Sequence, residues 1–113
     1  VTIRLLLADD HPVVRAGLRA VLDTEADFAV VAEAATAERA VELAAGEPVD
    51  VVLMDLQFGP GMHGSEATAL ITARPGAPRV LVLTTYDTDA DILAAVEAGA
   101  SGYLLKDAPP EEL

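Results

Sequence analysis

Ile3-Arg4-Leu5-Leu6-Leu7-Ala8-Asp9-Asp10-His11-Pro12 is an apolar run that ends abruptly in two carboxylates and a proline. A run this short and this rich in aliphatic side chains suits a strand covered on both faces, as in a parallel sheet. Pro12 fits the first turn of a following helix, where its missing N–H costs nothing. Val14, Leu18, Val21 and Leu22 then recur at helical spacing on one face. Strand, acidic turn and helix are therefore the opening unit.

The same unit returns along the chain. Val49-Asp50-Val51-Val52-Leu53-Met54 and Val80-Leu81-Val82-Leu83 are two more continuous apolar runs, and Phe28–Ala32 and Gly102–Leu105 are weaker strand candidates. A second helix is expected from about Thr36 to Ala45, burying Ala37, Val41 and Ala44 and stopping at Gly46 before Pro48. A third starts near Gly64-Ser65, buries Ala67, Leu70 and Ile71, and ends before Pro75. A fourth opens at Thr88-Asp89-Ala90-Asp91 and presents Ile92, Leu93 and Val96. Strict alternation of strand and helix implies right-handed crossovers, so the expected class is α/β, a doubly wound five-stranded parallel sheet. Asp107 to Leu113 has the Pro and acidic residues of a helix start, and a fifth helix is expected to be truncated there.

A chain of 113 residues with 52% hydrophobic content is one domain, residues 1–113. No cysteine is present, which excludes disulfides and thiolate chemistry and suits a reducing compartment, with cytoplasm the expected location. No apolar run approaches the roughly 18 to 20 residues that span a bilayer, so no membrane partner is expected. Val1 is not followed by a basic region and an apolar stretch, so no secretory signal is expected either. Nineteen acids against seven Lys and Arg give a net charge of −12, which argues against direct contact with nucleic acid.

Ligands of open parallel sheets sit beyond the carboxyl ends of the strands. There the chain carries Asp9-Asp10, Asp55, Thr84-Thr85 and Lys106. Taken singly, each has an ordinary role as a helix cap, a turn residue or a solvated charge. Together, three converging carboxylates repel one another unless a positive charge sits among them, and Mg²⁺ prefers such oxygens. Phosphoryl transfer needs an in-line nucleophile and neutralised oxygens, so Asp55 is the candidate nucleophile. Asp10 would hold the metal directly and Asp9 through water, while Lys106 and the Thr84 hydroxyl would contact the phosphoryl group.

The stretches Leu-Leu-Leu-Ala-Asp9-Asp10-His11-Pro12, Val-Leu-Met-Asp55-Leu, Val-Leu-Thr84-Thr and Gly-Tyr103-Leu-Leu-Lys106-Asp resemble a receiver domain of two-component response regulators. The likeness covers essentially the whole chain. Asp-His-Pro-Val-Val-Arg-Ala-Gly-Leu with Gly-Tyr-Leu-Leu-Lys-Asp-Ala is similar to the subfamily with a LuxR-type helix-turn-helix output domain. The resemblance implies the flavodoxin-like strand order 2-1-3-4-5. It also implies that Asp55 accepts phosphate from a sensor histidine kinase and that Mg²⁺ is held by Asp10, Asp55 and the backbone carbonyl of Gln57. Thr84 and Tyr103 would form the switch. A homodimer on phosphorylation, and DNA binding through a C-terminal domain beyond residue 113, follow from the same likeness. The domain would be no enzyme in the ordinary sense, though it promotes its own phosphorylation and dephosphorylation.

One segment departs from the family pattern. Many relatives have Met-Pro-Gly-Met-Asp-Gly after the phosphoacceptor, whereas Gln57-Phe58-Gly59-Pro60-Gly61-Met62-His63-Gly64 is one residue longer, with His63 where Asp is common. That puts the Gln57 carbonyl in question as a metal ligand. His63 reads as a surface loop residue and His11 as a helix-start residue. Two rival readings keep the fold. A flavodoxin-like nucleotide-binding module would need a Gly- and hydroxyl-rich phosphate loop after the first strand, where Asp9-Asp10-His11-Pro12 instead repels phosphate. A phosphorylation-independent interaction receiver would have lost one of the acidic or Lys positions, and none is lost.

Overall fold

The computed structural model describes residues 2–55, 61–84, 99–100 and 102–105. Within them the order is β1 (Ile3–Ala8), α1 (Pro12–Leu22), β2 (Phe28–Ala34), α2 (Ala37–Gly46), β3 (Val51–Asp55), α3 (Gly64–Thr72), β4 (Arg79–Thr84) and β5 (Gly102–Leu105). The strands form one parallel sheet in the order β2-β1-β3-β4-β5. This is the doubly wound α/β class and the 2-1-3-4-5 order that the sequence leads one to expect. The helices expected from Thr88 and from about Asp107 fall outside the described residues.

Alternate residues of each strand serve opposite faces. Leu6, Ala8, Val52, Met54, Val80 and Val82 face α2 and α3, packing with Ala37, Ala40, Ala67 and Ile71. Leu5, Leu7 and Leu53 face the other way and pack with Leu22 of α1. Full burial of a Leu, Val or Met side chain stabilises by roughly 1.5–3 kcal/mol, so these two cores hold the sheet between its helices. The helix starts are set locally: Pro12 occupies the first turn of α1, and the Thr36 hydroxyl accepts the Arg39 N–H at 3.1 Å to cap α2. Gly76, at φ +70, makes the turn that leads into β4 after Pro75.

Two local expectations are corrected. Leu70, read as part of the buried face of α3, is 49% exposed, and Thr68 is buried in its place. The inward residues Gly64, Ala67, Thr68 and Ile71 cluster on one side of the helix, and at about 100° per residue Leu70 lies roughly 110° from their centre. Thr68 tolerates burial because its hydroxyl donates to the Gly64 carbonyl at 2.8 Å. β2 continues to Ala34, two residues past its expected end. Its register with β1 jumps between Leu5↔Val30 and Leu6↔Ala32, leaving Val31 as the extra residue, 43% exposed. Such a bulge on an edge strand discourages pairing with another chain.

Candidate functional site

β1 and β3 lie side by side with Ala8 opposite Met54. One residue further, the two strands deliver Asp9 and Asp55 next to each other, at the point where the chain order reverses across the sheet. That is where open α/β sheets bind ligands. Asp9 is 1% exposed and Asp55 0%, and the Asp10 side chain is partly buried beside them. Donor atoms of Asp9, Asp10, His11 and Asp55 all lie within 4.8 Å of one another. Oxygen donors gathered this closely fit a hard divalent cation such as Mg²⁺.

The turn that carries Asp9 and Asp10 is braced from three sides. The Asp9 N–H donates to the Ala34 carbonyl at 3.0 Å, tying the turn to the end of β2. Asp9 Oδ1 accepts the His11 N–H at 2.8 Å, which closes the turn on itself. Arg15, one turn into α1, donates from Nη1 to the Asp9 carbonyl at 2.6 Å. Its Nε lies 3.3 Å from Glu33 Oε1, and Arg19 Nη1 reaches Glu33 Oε2 at 2.6 Å. Glu33 of β2 thus anchors two arginines of α1, one of which holds the acidic turn. Neither Asp9 nor Asp10 caps α1, whose N-cap is His11 without a side-chain capping bond.

Arg15 and Glu33 were not legible as site residues from spacing alone. The only signal was a cation one helical turn after an acidic pair. His11 does begin the helix, as expected, but it does more. Its Nδ1 lies 2.8 Å from Asp10 Oδ1 and 3.1 Å from Asp9 Oδ1. His63 is exposed and is the N-cap of α3, and its N–H donates to Glu66 Oε1 at 3.3 Å. It takes no part in the acidic cluster.

The remaining expected site residues are reached only by their strands. Leu83 of β4 pairs with Asp55, so the Thr84 backbone is the next position along from the acidic cluster. Thr84 pairs with Leu105 and Tyr103 with Val82 on β5. The switch roles expected of Thr84 and Tyr103 depend on side chains outside those described. Gln57 and Lys106 lie outside the described residues, as does the loop up to Pro60. Where the chain resumes, Gly61 has φ +109, a backbone that side-chain-bearing residues rarely adopt.

The family model described as the response regulator receiver domain matches residues 5–113. The nitrate/nitrite response regulator protein NarL of Escherichia coli is 38% identical over 109 residues, covering 96% of this chain and 50% of the relative. The chain spans about half the length of the curated relatives it matches. Among solved structures, the receiver domain of the response regulator NarL from Mycobacterium tuberculosis superposes with a TM-score of 0.92 at 34% identity, covering 98% of this chain and 89% of that one. A LuxR-family two-component response regulator from Aurantimonas superposes at 0.91 with 46% identity, covering 99% and 79%.

Proposed function

Because this chain belongs to the response regulator receiver domain family, we propose that Asp55 is its phosphoacceptor and that the acidic pocket around it works in a phosphorelay. The carrying observation is the position of Asp55, at the end of a central strand, fully buried, and within 4.8 Å of the donor atoms of Asp9 and Asp10. An oxygen of the Asp55 carboxylate bonds to phosphorus while the donor's phosphorus bond breaks, the protein contributing position and electrostatics. Mg²⁺ would be held by Asp10, Asp55 and the Gln57 carbonyl, with Asp9 acting through water. When bound, the cation neutralises charge on the transferring oxygens. Lys106 and the Thr84 hydroxyl pair with phosphoryl oxygens, and the Thr84 and Tyr103 side chains carry the change to the β4–β5 edge. Arg15 keeps the Asp9-Asp10 turn in place.

The relatives' printed descriptions and their greater length support the rest of the reading. A sensor histidine kinase supplies the phosphoryl group in the cytoplasm, the phosphorylated protein forms a homodimer, and a C-terminal LuxR-type domain binds DNA to regulate transcription. A net charge of −12 agrees with DNA contact lying outside this domain. No helix among the described residues is long and apolar enough to cross a membrane. The domain is a regulator, and its catalysis is limited to its own phosphorylation and dephosphorylation. Incubation with Mg²⁺ and acetyl phosphate followed by mass spectrometry tests the core of this. The expected result is a gain of one phosphate that is absent from Asp55→Asn. No gain, or a gain that survives the substitution, overturns it.

A further inference from the structure

We infer that Glu33 is a positioning residue of the acidic pocket, acting through Arg15, and that the bulge at Val31 is what turns it toward that arginine. The inference rests on the reading above of the pocket as a Mg²⁺ and phosphoryl site and adds the part of the fold that sets its geometry.

The bulge decides which way Glu33 faces. Before it, β1 and β2 pair Ile3 with Phe28 and Leu5 with Val30; after it, Leu7 pairs with Glu33 and Ala8 with Ala34. Paired residues of parallel strands share a face. Phe28 and Val30 accordingly pack against the core of Leu5, Leu7 and Leu22 on the α1 side, whereas Ala32 and Ala34 pack with Leu6 and Ala8 on the α2 and α3 side. Unbroken alternation would put Glu33 opposite Ala8, facing away from α1. The extra residue reverses this, so that Glu33 shares the α1 face with Leu7. Bulges re-aim side chains in this way, often next to functional sites.

On that face Glu33 Oε1 lies 3.3 Å from Arg15 Nε, while Nη1 of the same guanidinium donates to the Asp9 carbonyl at 2.6 Å. The Asp9 N–H, in turn, donates to the carbonyl of Ala34, the residue after Glu33. Consecutive residues of β2 therefore hold both peptide groups that flank the Asp9 Cα, Ala34 through its main chain and Glu33 through Arg15. Because a peptide group is planar, fixing the Asp9 carbonyl also fixes where Asp10 begins. The Arg15 side chain is only 19% exposed, and a bond from a charged donor to a carbonyl is stronger than a neutral one. Its planar fork spans the carbonyl and the carboxylate at once, which a lysine cannot do. Glu33 thus fixes the direction of two pocket carboxylates without touching the cation site.

Calorimetric titration with Mg²⁺ of wild type, Glu33→Gln, Arg15→Met and the double variant tests the relay, with urea melts in the absence of Mg²⁺ to follow the fold. Glu33→Gln is expected to weaken Mg²⁺ binding by about three- to tenfold, within the range of coupling inside one charge network, and to add nothing once Arg15 is Met. Arg15→Lys is expected to weaken binding as Arg15→Met does, and it replaces that variant in the cycle if the Met form does not fold. Arg19→Gln removes the other arginine that Glu33 anchors. It is expected to leave Mg²⁺ affinity within about twofold of wild type, as for a site outside the network. An unchanged affinity in Glu33→Gln, a loss of equal size with and without Arg15, or an equal loss in Arg19→Gln overturns the inference. Phosphate uptake from acetyl phosphate separates the two levels. A wild-type chain that binds Mg²⁺ and takes phosphate, with Glu33→Gln indistinguishable from it, removes only the role of Glu33. A wild-type chain that does neither removes the reading beneath it as well.

Discussion

At the amino ends of β1 and β3 the Arg4 guanidinium grips Asp50 with Nε–Oδ2 and Nη2–Oδ1 contacts of 3.0 Å each, while at the carboxyl ends of the same strands Asp9, Asp10 and Asp55 crowd together. The first end is complementary in charge and also in backbone: the Arg4 N–H donates to Asp50 Oδ2, the Asp50 N–H to the Arg4 carbonyl, and the Arg79 N–H to the Asp50 carbonyl. The second end gathers like charges, two of them fully buried. One pair of strands thus carries a sealed, charge-complementary seam at one end and an acidic cluster at the other.

The largest effect expected from this contrast is stabilisation by the cation. Mg²⁺ at one hundred times its Kd should raise the unfolding free energy by about 2.7 kcal/mol. The gain should disappear in Asp10→Asn and Asp55→Asn and persist in Asp50→Asn. Urea melts with and without Mg²⁺ measure it, and a gain retained by both pocket variants would mean that the cation binds elsewhere.

A smaller effect of opposite sign at the two ends sharpens the comparison further. Without divalent cations, Asp55→Asn should stabilise the fold by about 0.5–2 kcal/mol, the usual range for a single stabilising substitution, because it removes one of three like charges. Asp50→Asn should destabilise it under the same conditions. If both variants destabilise, the acidic pocket is not a store of unfavourable charge, and the distinction drawn between the two ends fails.

The sequence exposes this contrast unevenly. The three continuous apolar runs became β1, β3 and β4, the inner strands of the sheet, because only inner strands are covered on both faces. β2 and β5 read more weakly because they are the edges, and β2 carries a bulge at Val31 that no local pattern announces. Strand ends also located the acids, since an abrupt change from Ala8 to Asp9 or from Met54 to Asp55 marks the rim of a buried sheet. What could not be read were partners distant in sequence. Asp50 looked like part of a strand and is instead half of a clamp with Arg4, 46 residues away. Glu33 braces α1 across 14 residues through Arg19. Leu70 was misplaced because hydrophobicity favoured it over Thr68, whereas helix geometry and a self-satisfied hydroxyl decided otherwise.

The smallest expected effect belongs to the sealed end and concerns pH. Arg4 holds the Asp50 carboxyl below the usual carboxylate range, first through its side-chain hydrogen bonds and then through its main-chain N–H. A carboxyl with a depressed folded-state pKa stabilises the fold fully above its unfolded value of about 3.9, and that contribution is lost as pH falls through the lower folded value. The stability gap between wild type and Asp50→Asn should therefore stay level from neutral pH down to about 5 and close below about 4. It should also shrink in high salt, because the pair is partly exposed to solvent. Urea melts across that range provide the measurement, and a gap that persists unchanged at the acid end would show that the Asp50 charge is not the source of the stabilisation, since its main-chain bonds with Arg4 and Arg79 survive the substitution. Those bonds fix where β1 and β3 begin relative to each other, and in a parallel pair that register is carried along the strands to the place where Asp9 meets Asp55.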